Sequence, residues 1–414
     1  MKIAIITETF PPIGVSGVAS AHYNLFRLFK ENKYNVKVFT FNDDADSIKS
    51  FPDDPDVFHF GISAKMRQHI RVLISKMYKY QRKIFFKTDT YLLAYQLNDI
   101  VISNLGSRKI NKNLKKFHPD IVIVPDHGVP GFSIKKVKGA IYVHISHHNP
   151  IRFINNPFFG YQSEYDARLA VKIEKKALKK VDKVICPSVY MKDVFISTFG
   201  DKLPVTVIPN LIDNKFVESI EPVSVHEKLT LDTDFPIVYI PSGGSSIKGE
   251  RFVVEIIRRL AVKYNFNIGF YISGGLSAIQ KEELEILKIY SNLIFSPGIV
   301  DNAVNIGFIK SCSVCISPTL LESFGMANLE ANFCNVPVVT FDVGGNKELI
   351  EDGQNGFVVP NLDVETMISK TSEILDTHTR LNTFAYVSKK FSIIALRDKY
   401  LEIVLKTRLS DLNQ

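Results

Sequence analysis

The chain alternates short apolar segments with amphipathic segments along its whole length. The apolar runs are rich in Val and Ile and end at polar or glycine-bearing loops, as within residues 2–7, 36–41, 120–128, 140–150, 184–188, 235–241 and 314–319. Runs that are apolar on both faces are typical of parallel strands covered by helices on each side of the sheet. The pattern therefore predicts an α/β protein, and a length of 414 residues predicts two domains or more.

Bulk composition excludes several other classes of protein. Hydrophobic residues make up 45% of the chain, enough for large cores, yet no run reaches the roughly 18 apolar residues of a transmembrane helix. The first apolar run turns polar at Glu8, too early for a signal peptide. Four cysteines do not predict a disulfide scaffold, and Cys312-x-x-Cys315 enters an apolar strand, which favours packing over redox chemistry. We expect a cytoplasmic protein.

Positive charge is concentrated in the first half of the chain. Residues 1–212 carry 32 Lys and Arg against 18 Asp and Glu, whereas residues 213–414 carry 19 against 25. Residues 65–87 hold eight basic residues and no acidic one, with an apolar stripe at helical spacing. Such a helix predicts peripheral contact with an anionic membrane surface, and the alternative is a stripe that packs on its own domain. No nucleic-acid-binding motif accompanies the charge.

Residues 322–330 contain two glutamates on either side of a loop that opens a helix. The sequence is Glu-Ser-Phe-Gly-Met-Ala-Asn-Leu-Glu, and eight helical steps would separate Glu322 from Glu330 by about 12 Å on one face. A helix N-terminus offers free N–H groups to phosphate or hydroxyl groups. The pair is suited to hold two hydroxylated groups, such as a sugar and a ribose. The alternative is two ordinary solvated glutamates.

The segments that follow carry a family resemblance. Asn335-Val-Pro-Val-Val339 and Gly344-Gly-Asn-Lys-Glu348 come after the Glu-x7-Glu stretch, and together they resemble the donor-binding half of the retaining glycosyltransferases of family four. The resemblance extends in order over nearly the whole chain. It implies a GT-B fold of two Rossmann-like doubly wound domains facing across a cleft. The expected domains are residues 1–213, to which 391–414 cross back, and residues 214–390, with 214–235 as linker.

The resemblance also implies roles for individual residues. Catalytic roles fall to His144, Lys248 and Glu322, with His147 as second candidate for the histidine. Glu322 and the Phe324–Gly325 backbone would hold the donor sugar, Glu330 the ribose, and Lys248 the diphosphate. The remaining implied donor contacts are Gly14, Gly17, Gly243, Gly244, Gly298, Ile299, Ser323 and Met326. The family usually has an arginine where this chain has Gly243.

The expected substrates are a nucleotide diphosphate sugar, with UDP favoured, and a glycan or lipid-linked glycan acceptor in cell-surface polysaccharide or lipopolysaccharide assembly. No cofactor, metal or nucleic acid is expected. His144, His147 and His148 lie within five residues, but His147 points to the opposite face of a strand, which argues against a zinc site. Two alternatives remain at this stage: a GT-B sugar-nucleotide epimerase, and a non-catalytic protein that binds sugar nucleotides or glycans.

Overall fold

The computed structural model describes residues 1–11, 16–43, 54–81, 95–154, 164–286, 292–377 and 381–411. The chain divides into two compact units. The first comprises Met1–Pro209 together with Leu396–Gln414, and the second comprises Asn210–Ala395. The sequence analysis placed the corresponding bounds at residues 1–213 with 391–414, and at residues 214–390.

The first unit is built on a seven-stranded parallel sheet. Its strand order is β3-β2-β1-β4-β5-β6-β7. The strands are β1 (Lys2–Thr7), β2 (Asn35–Thr40), β3 (Val57–His59), β4 (Ile121–Pro125), β5 (Ile141–Ile145), β6 (Lys183–Cys186) and β7 (Val205–Val207). The helices are α1 (Gly17–Glu31), α2 (Ala64–Gln81), α3 (Tyr95–Phe117), α4 (Glu164–Leu178) and α5 (Val189–Phe199). The strands β1, β2, β4, β5 and β6 are largely buried, as the sequence predicted, whereas β3 and β7 at the two edges are not fully buried.

Local polar contacts set the position of the helices in this unit. Ser16 and Ser188 cap α1 and α5, each accepting a backbone N–H in the first turn. The carboxylate of Asp166 on α4 accepts the Tyr78 hydroxyl at 2.9 Å and the backbone N–H of Gln96 at 2.7 Å. Three helices, α2, α3 and α4, are therefore joined at one buried carboxylate.

The second unit has a six-stranded parallel sheet with the order β10-β9-β8-β11-β12-β13. The strands are β8 (Ile237–Ile240), β9 (Gly269–Ser273), β10 (Ile294–Gly298), β11 (Val314–Ser317), β12 (Val338–Phe341) and β13 (Gly356–Val359). The helices are α6 (Asn214–Ser219), α7 (Val225–Leu229), α8 (Glu250–Lys263), α9 (Ala278–Ile286), α10 (Asn302–Ile309), α11 (Met326–Phe333), α12 (Asn346–Leu349), α13 (Val364–Asp376) and α14 (Thr383–Phe391). A last helix, α15, runs from Ile393 to Asp411.

Two details differ from the sequence-based description. Residues 214–235 are not a plain linker, because they contain α6 and α7, which are capped by Asp213 and Ser224. The amphipathic helix α2 ends at Gln81, and the rest of the predicted segment 65–87 lies outside the described residues. Among the described helices, none is both long and apolar enough to cross a membrane.

Candidate functional site

The candidate site lies at the carboxyl ends of β8 and β11, which are neighbours in the middle of the second sheet. The chain leaves β8 through residues 241–249 into α8, and it leaves β11 through residues 318–325 into α11. From β8 the sheet continues through β9 to β10 on one side, and from β11 it continues through β12 to β13 on the other side. The strand order therefore reverses between β8 and β11, which makes this pair the topological switch point. Ligands of open α/β sheets bind outside the strand ends at this point.

Lys248 and Glu322 meet across these two loops. Lys248 Nζ donates to Glu322 Oε2 at 2.6 Å, and Glu322 Oε1 accepts the backbone N–H of Ser323 at 3.0 Å. The Lys248 side chain is 30% exposed and that of Glu322 is 11% exposed. The structure thus brings together two predicted site residues that are 74 positions apart in the sequence.

The backbone holds the same two loops together. The backbone N–H of Leu320 donates to the Ile247 carbonyl at 2.9 Å. Gly249 has φ +84°, and a Cβ added there would overlap the carbonyl oxygen of Pro318. A glycine directly after Lys248 is therefore required both by its backbone angle and by the close approach of the second loop.

The helix α11 does not include Glu322, because a loop separates this residue from the first helical residue, Met326. Gly325 is the N-cap of α11, with φ +102° and no capping side chain, so the first N–H groups of the helix have no partner within it. Phe324 is buried, and its ring packs edge-on against Phe391. Ser323 is half-buried and Met326 is buried. The positive end of α11 therefore lies next to Glu322.

Glu330 is the fifth residue of α11 and is half-buried. Because residues 322–325 are not helical, eight helical steps do not describe its separation from Glu322, and that interpretation of the sequence was wrong. Burial raises the pKa of Tyr239 well above its ordinary value, and Glu330 is among the nearby charges that add to this rise. Glu330 thus lies close enough to the strand β8 to influence a buried side chain there.

The turn after β12 supports the loop that carries Ser323. A Cβ added at Gly345 would lie 2.5 Å from the Ser323 carbonyl oxygen. Asn346 is fully buried, and its amide nitrogen donates to Thr340 Oγ1 at 2.9 Å and to the Phe341 carbonyl at 3.0 Å. Asn328 of α11 donates to Asn346 Oδ1 at 3.3 Å. Sequence reasoning missed Asn328 and Asn346 as positioning residues, although Asn346 directly follows the glycine pair.

The Gly243-Gly244 segment packs tightly against the neighbouring strand loop. A Cβ added at Gly243 would lie 2.5 Å from Ile272 Cγ2, and one at Gly244 would lie 2.9 Å from the Gly275 carbonyl oxygen. Gln280 Nε2 donates to the Gly243 carbonyl at 2.8 Å and fixes the loop. A side chain at position 243 would therefore point toward Ile272. Glycine at position 243 thus permits a close approach to Ile272 that a side chain would disturb.

Three other predicted donor contacts lie at or next to the ends of secondary-structure elements. Gly298 ends β10, and its carbonyl accepts the backbone N–H of Gly274 at 3.1 Å. Ile299 follows it and is 82% exposed. Gly17 is the first residue of α1 in the first unit, and Gly14 lies outside the described residues.

The two histidine candidates have different surroundings in the first unit. His144 on β5 is 4% exposed, and its ring lies against Phe195 and near Glu174. His147 follows the carboxyl end of β5, and its ring makes an edge-on contact with His22, whose Nδ1 is 2.8 Å from Thr7 Oγ1. Burial lowers the pKa of His22 to about 3, and the neighbouring His147 adds to this effect. His147 is therefore close to the end of β1, whereas His144 faces α4 and α5.

Comparison with known proteins agrees with this architecture. Residues 15–216 match the family model described as Glycosyltransferase Family 4, and residues 236–377 match Glycosyl transferases group 1. One relative is the capsular polysaccharide biosynthesis glycosyltransferase CapM of Staphylococcus aureus, 24% identical over 39% of this chain and 42% of that protein. The matched regions cover 57%, 42% and 24% of the length of three curated relatives, so the match to each of them is partial.

Solved structures that resemble this chain over nearly its whole length include the following two. Sucrose-phosphate synthase from Thermosynechococcus elongatus has a TM-score of 0.72 and 17% identity over 99% of both chains. HepE from Anabaena, solved in complex with UDP, has a TM-score of 0.65 and 18% identity over 98% of this chain and 99% of that one.

The two doubly wound units, with a loop-bounded site at the switch point of the second, define a protein with the GT-B fold. Both family models are those of sugar transferases, and they match successive parts of the chain. The chain belongs to the family-four type of glycosyltransferases.

Proposed function

We propose that this protein transfers a sugar from a nucleotide diphosphate sugar, with UDP favoured, to a glycan or lipid-linked glycan in cell-surface polysaccharide assembly. The observation that carries the proposal is the Lys248–Glu322 contact beside the open N-terminus of α11. The arrangement combines a cation for phosphate, a carboxylate for sugar hydroxyls and a helix N-terminus for negative charge. A relative named for capsular polysaccharide biosynthesis and a structural neighbour solved with UDP support the substrate class.

Donor binding would exchange the partners of Lys248. In the structure the ammonium group is held by Glu322. A diphosphate carries more negative charge than one carboxylate and would draw the ammonium toward itself. Glu322 Oε2 would then accept hydroxyl groups of the donor sugar, while Oε1 keeps its bond from the Ser323 backbone. Binding of the leaving group and orientation of the sugar would thus be coupled.

Departure of the diphosphate is the step that needs electrostatic help. Lys248 and the free N–H groups at the start of α11 would neutralise the charge that develops on the leaving group. We assign Glu322 to orienting the sugar and not to nucleophilic attack, and we propose that the anomeric configuration is retained. Glu330 would accept the ribose hydroxyls, and the backbone at Gly298 and Ile299 would contact the nucleobase. These assignments involve no metal-dependent step.

We propose His147, and not His144, as the histidine that faces the donor. His147 lies in the loop after β5, beside the end of β1, where ligands of a parallel sheet bind. His144 points toward α4 and α5 inside the unit. Gly17 at the start of α1 belongs to the same end of the sheet. Replacing His147 by Ala should lower turnover more than it weakens UDP binding.

The test is a thermal-shift screen of UDP, GDP, ADP and their sugars on wild type and on Glu330→Ala. A ligand at a hundred times its dissociation constant adds about 2.7 kcal/mol to the free energy of unfolding. We expect one nucleotide family to stabilise the wild type and not the variant. NMR of the product formed from that donor should then show a retained anomeric configuration. Donor turnover without acceptor would instead indicate an epimerase, and binding without turnover a non-catalytic protein.

We further propose that α2 contacts an anionic membrane surface. Met66, Leu73, Met77 and Tyr80 lie within one face of the helix and are 52%, 69%, 42% and 70% exposed. Ile74 and Tyr78 are buried and hold the helix on its own unit. The sequence alternative, in which the whole stripe packs inward, therefore does not describe these four residues. Exposed Lys65, Lys76 and Lys79 flank the apolar face and suit anionic lipid headgroups.

Flotation with vesicles distinguishes binding of anionic lipid through α2 from nonspecific binding to any vesicle. Wild-type protein should float with vesicles of phosphatidylcholine and phosphatidylglycerol, and it should not float with phosphatidylcholine alone. Leu73→Glu should abolish flotation because it puts a carboxylate into the apolar face. Ile279→Glu is the matched control, since Ile279 is 67% exposed on a helix of the other unit. Flotation of Leu73→Glu at the wild-type level would contradict the assignment.

A further inference from the structure

A buried cluster of three ionisable side chains lies inside the first unit. Asp126 directly follows β4, His144 is in β5 and Glu174 is in α4. They are 2%, 4% and 1% exposed, respectively. One nitrogen or oxygen atom from each lies within 4.8 Å of the others. The cluster therefore joins two adjacent strands to the helix that covers them.

Several polar atoms in this cluster have no hydrogen-bond partner among the described residues. They are His144 Nε2, both carboxylate oxygens of Glu174 and Asp126 Oδ1. The other oxygen of Asp126 is well satisfied, because it accepts bonds from Ser146 Oγ at 3.0 Å and the His148 backbone N–H at 2.7 Å. Buried polar atoms are rarely left without partners, since each costs free energy. Atoms from three elements that converge in this way indicate a missing ligand.

The spacing within the cluster suits a metal ion. His144 Nε2 and Glu174 Oε1 lie 3.4 Å apart, which is a long separation for an ion pair. Two ligands on a tetrahedral zinc ion, each at 2.0–2.1 Å, are separated by about 3.3 Å. Two carboxylates and one neutral imidazole carry a formal charge of minus two, which a divalent cation would neutralise. A buried pair of carboxylates without such a cation would be strongly unfavourable.

We propose that Asp126, His144 and Glu174 bind a divalent transition-metal ion, with Zn²⁺ as the preferred ion. One imidazole and two carboxylates form a nitrogen and oxygen ligand set that suits Zn²⁺ better than Mg²⁺ or Ca²⁺, which prefer oxygen ligands alone. All three side chains are buried, so the ion would be enclosed within the first unit and would stabilise its fold. The sequence analysis argued against a metal here because it considered only the neighbouring histidines as further ligands beside His144. The other two proposed ligands come from the end of β4 and from α4.

The metal would also position the loop after β5. Asp126 would use Oδ1 for the ion, while Oδ2 keeps its bonds to Ser146 and to the backbone of His148. The ion would therefore fix the loop that contains His147. This inference does not depend on the proposed sugar transfer, because it concerns the folded first unit alone.

The experiment measures metal content and stability of the full chain. Protein without a histidine tag, purified from zinc-supplemented medium in chelator-free buffer, is analysed by inductively coupled plasma mass spectrometry. We expect about one Zn²⁺ per chain in the wild type. We also expect EDTA to lower the melting temperature by several degrees, and added Zn²⁺, but not Mg²⁺, to restore it.

Three variants test whether the ion binds in this cluster. Glu174→Gln and His144→Asn should lose the zinc, and Glu164→Gln should keep it, because Glu164 is an exposed glutamate at the start of the same helix. Zinc retained in all three variants would overturn the proposal. A wild-type protein that contains no zinc and whose melting temperature does not respond to Zn²⁺ or EDTA would also overturn it. That measurement decides the question even if the variants do not fold.

Discussion

Replacing Lys248 by Met tests the centre of the proposed donor site. Methionine keeps a long unbranched side chain and removes the charge. A hydrogen bond to a charged group contributes about 1.5–3 kcal/mol, and each 1.4 kcal/mol is a tenfold change in affinity. The Lys248 side chain is 30% exposed and its ammonium nitrogen lies 2.6 Å from Glu322 Oε2, so the ammonium group is held in place. We therefore expect the Kd for UDP to rise about 10- to 150-fold.

The same substitution should also lower stability. Glu322 is only 11% exposed and would lose the ammonium group that contacts it. The free energy of unfolding should fall by about 1–2 kcal/mol without nucleotide. The loss should be smaller in the double variant Lys248→Met, Glu322→Gln, because the glutamine carries no charge that needs the lysine.

Isothermal titration of UDP into wild type, Lys248→Met and Lys370→Met provides the measurement. Lys370 is a suitable control because it is a partly exposed lysine of the same unit, paired with Glu373 on α13 at 2.7 Å. Its replacement should leave the Kd for UDP unchanged. If Lys248→Met binds UDP as tightly as the wild type, the ammonium group does not contact the diphosphate and our reasoning fails. If the wild type binds no nucleotide at all, the proposed function itself fails.

Three further predictions concern packing, thiols and pH. Gly345→Ala should weaken UDP binding, because the new methyl group would lie 2.5 Å from the Ser323 carbonyl oxygen; unchanged titration isotherms would count against this. Burial raises the pKa of Cys315 and Cys334, so these thiols should react with iodoacetamide at pH 7.5 only after denaturation; mass spectrometry of the labelled native protein would detect any exception. Burial acts to raise the pKa of Glu8, but His127 at 2.9 Å, together with Asn42 and His148, outweighs burial and lowers this pKa from 4.5 to about 2. Because the folded pKa is the lower one, the stabilisation is present above pH 4.5 and lost as the pH falls toward 2, and it should amount to about 2–3 kcal/mol. Glu8→Gln should remove this part of the pH dependence, and urea denaturation at pH 6 and pH 3 would reveal equal losses in both proteins if the prediction is wrong.

The sequence by itself determined the kind of sheet and the position of its loops. Apolar runs such as residues 3–6 and 314–316 are buried in parallel strands because no polar face interrupts them. The loops could be recognised as well, since polar residues and glycines interrupt the apolar runs. These features depend on residues that are close together in the chain, and local sequence therefore specifies them.

Contacts between distant residues were decided only by the tertiary structure. The order of the strands places β8 beside β11, and that order alone brings Lys248 to Glu322. The alternation of a strand showed that His144 and His147 point to opposite faces, but it could not show which face is covered by α4. In the structure, His144 lies beside Glu174 of α4 and near Asp126. Strand order and helix packing arise from the burial of the whole chain, and so no local pattern of residues contains them.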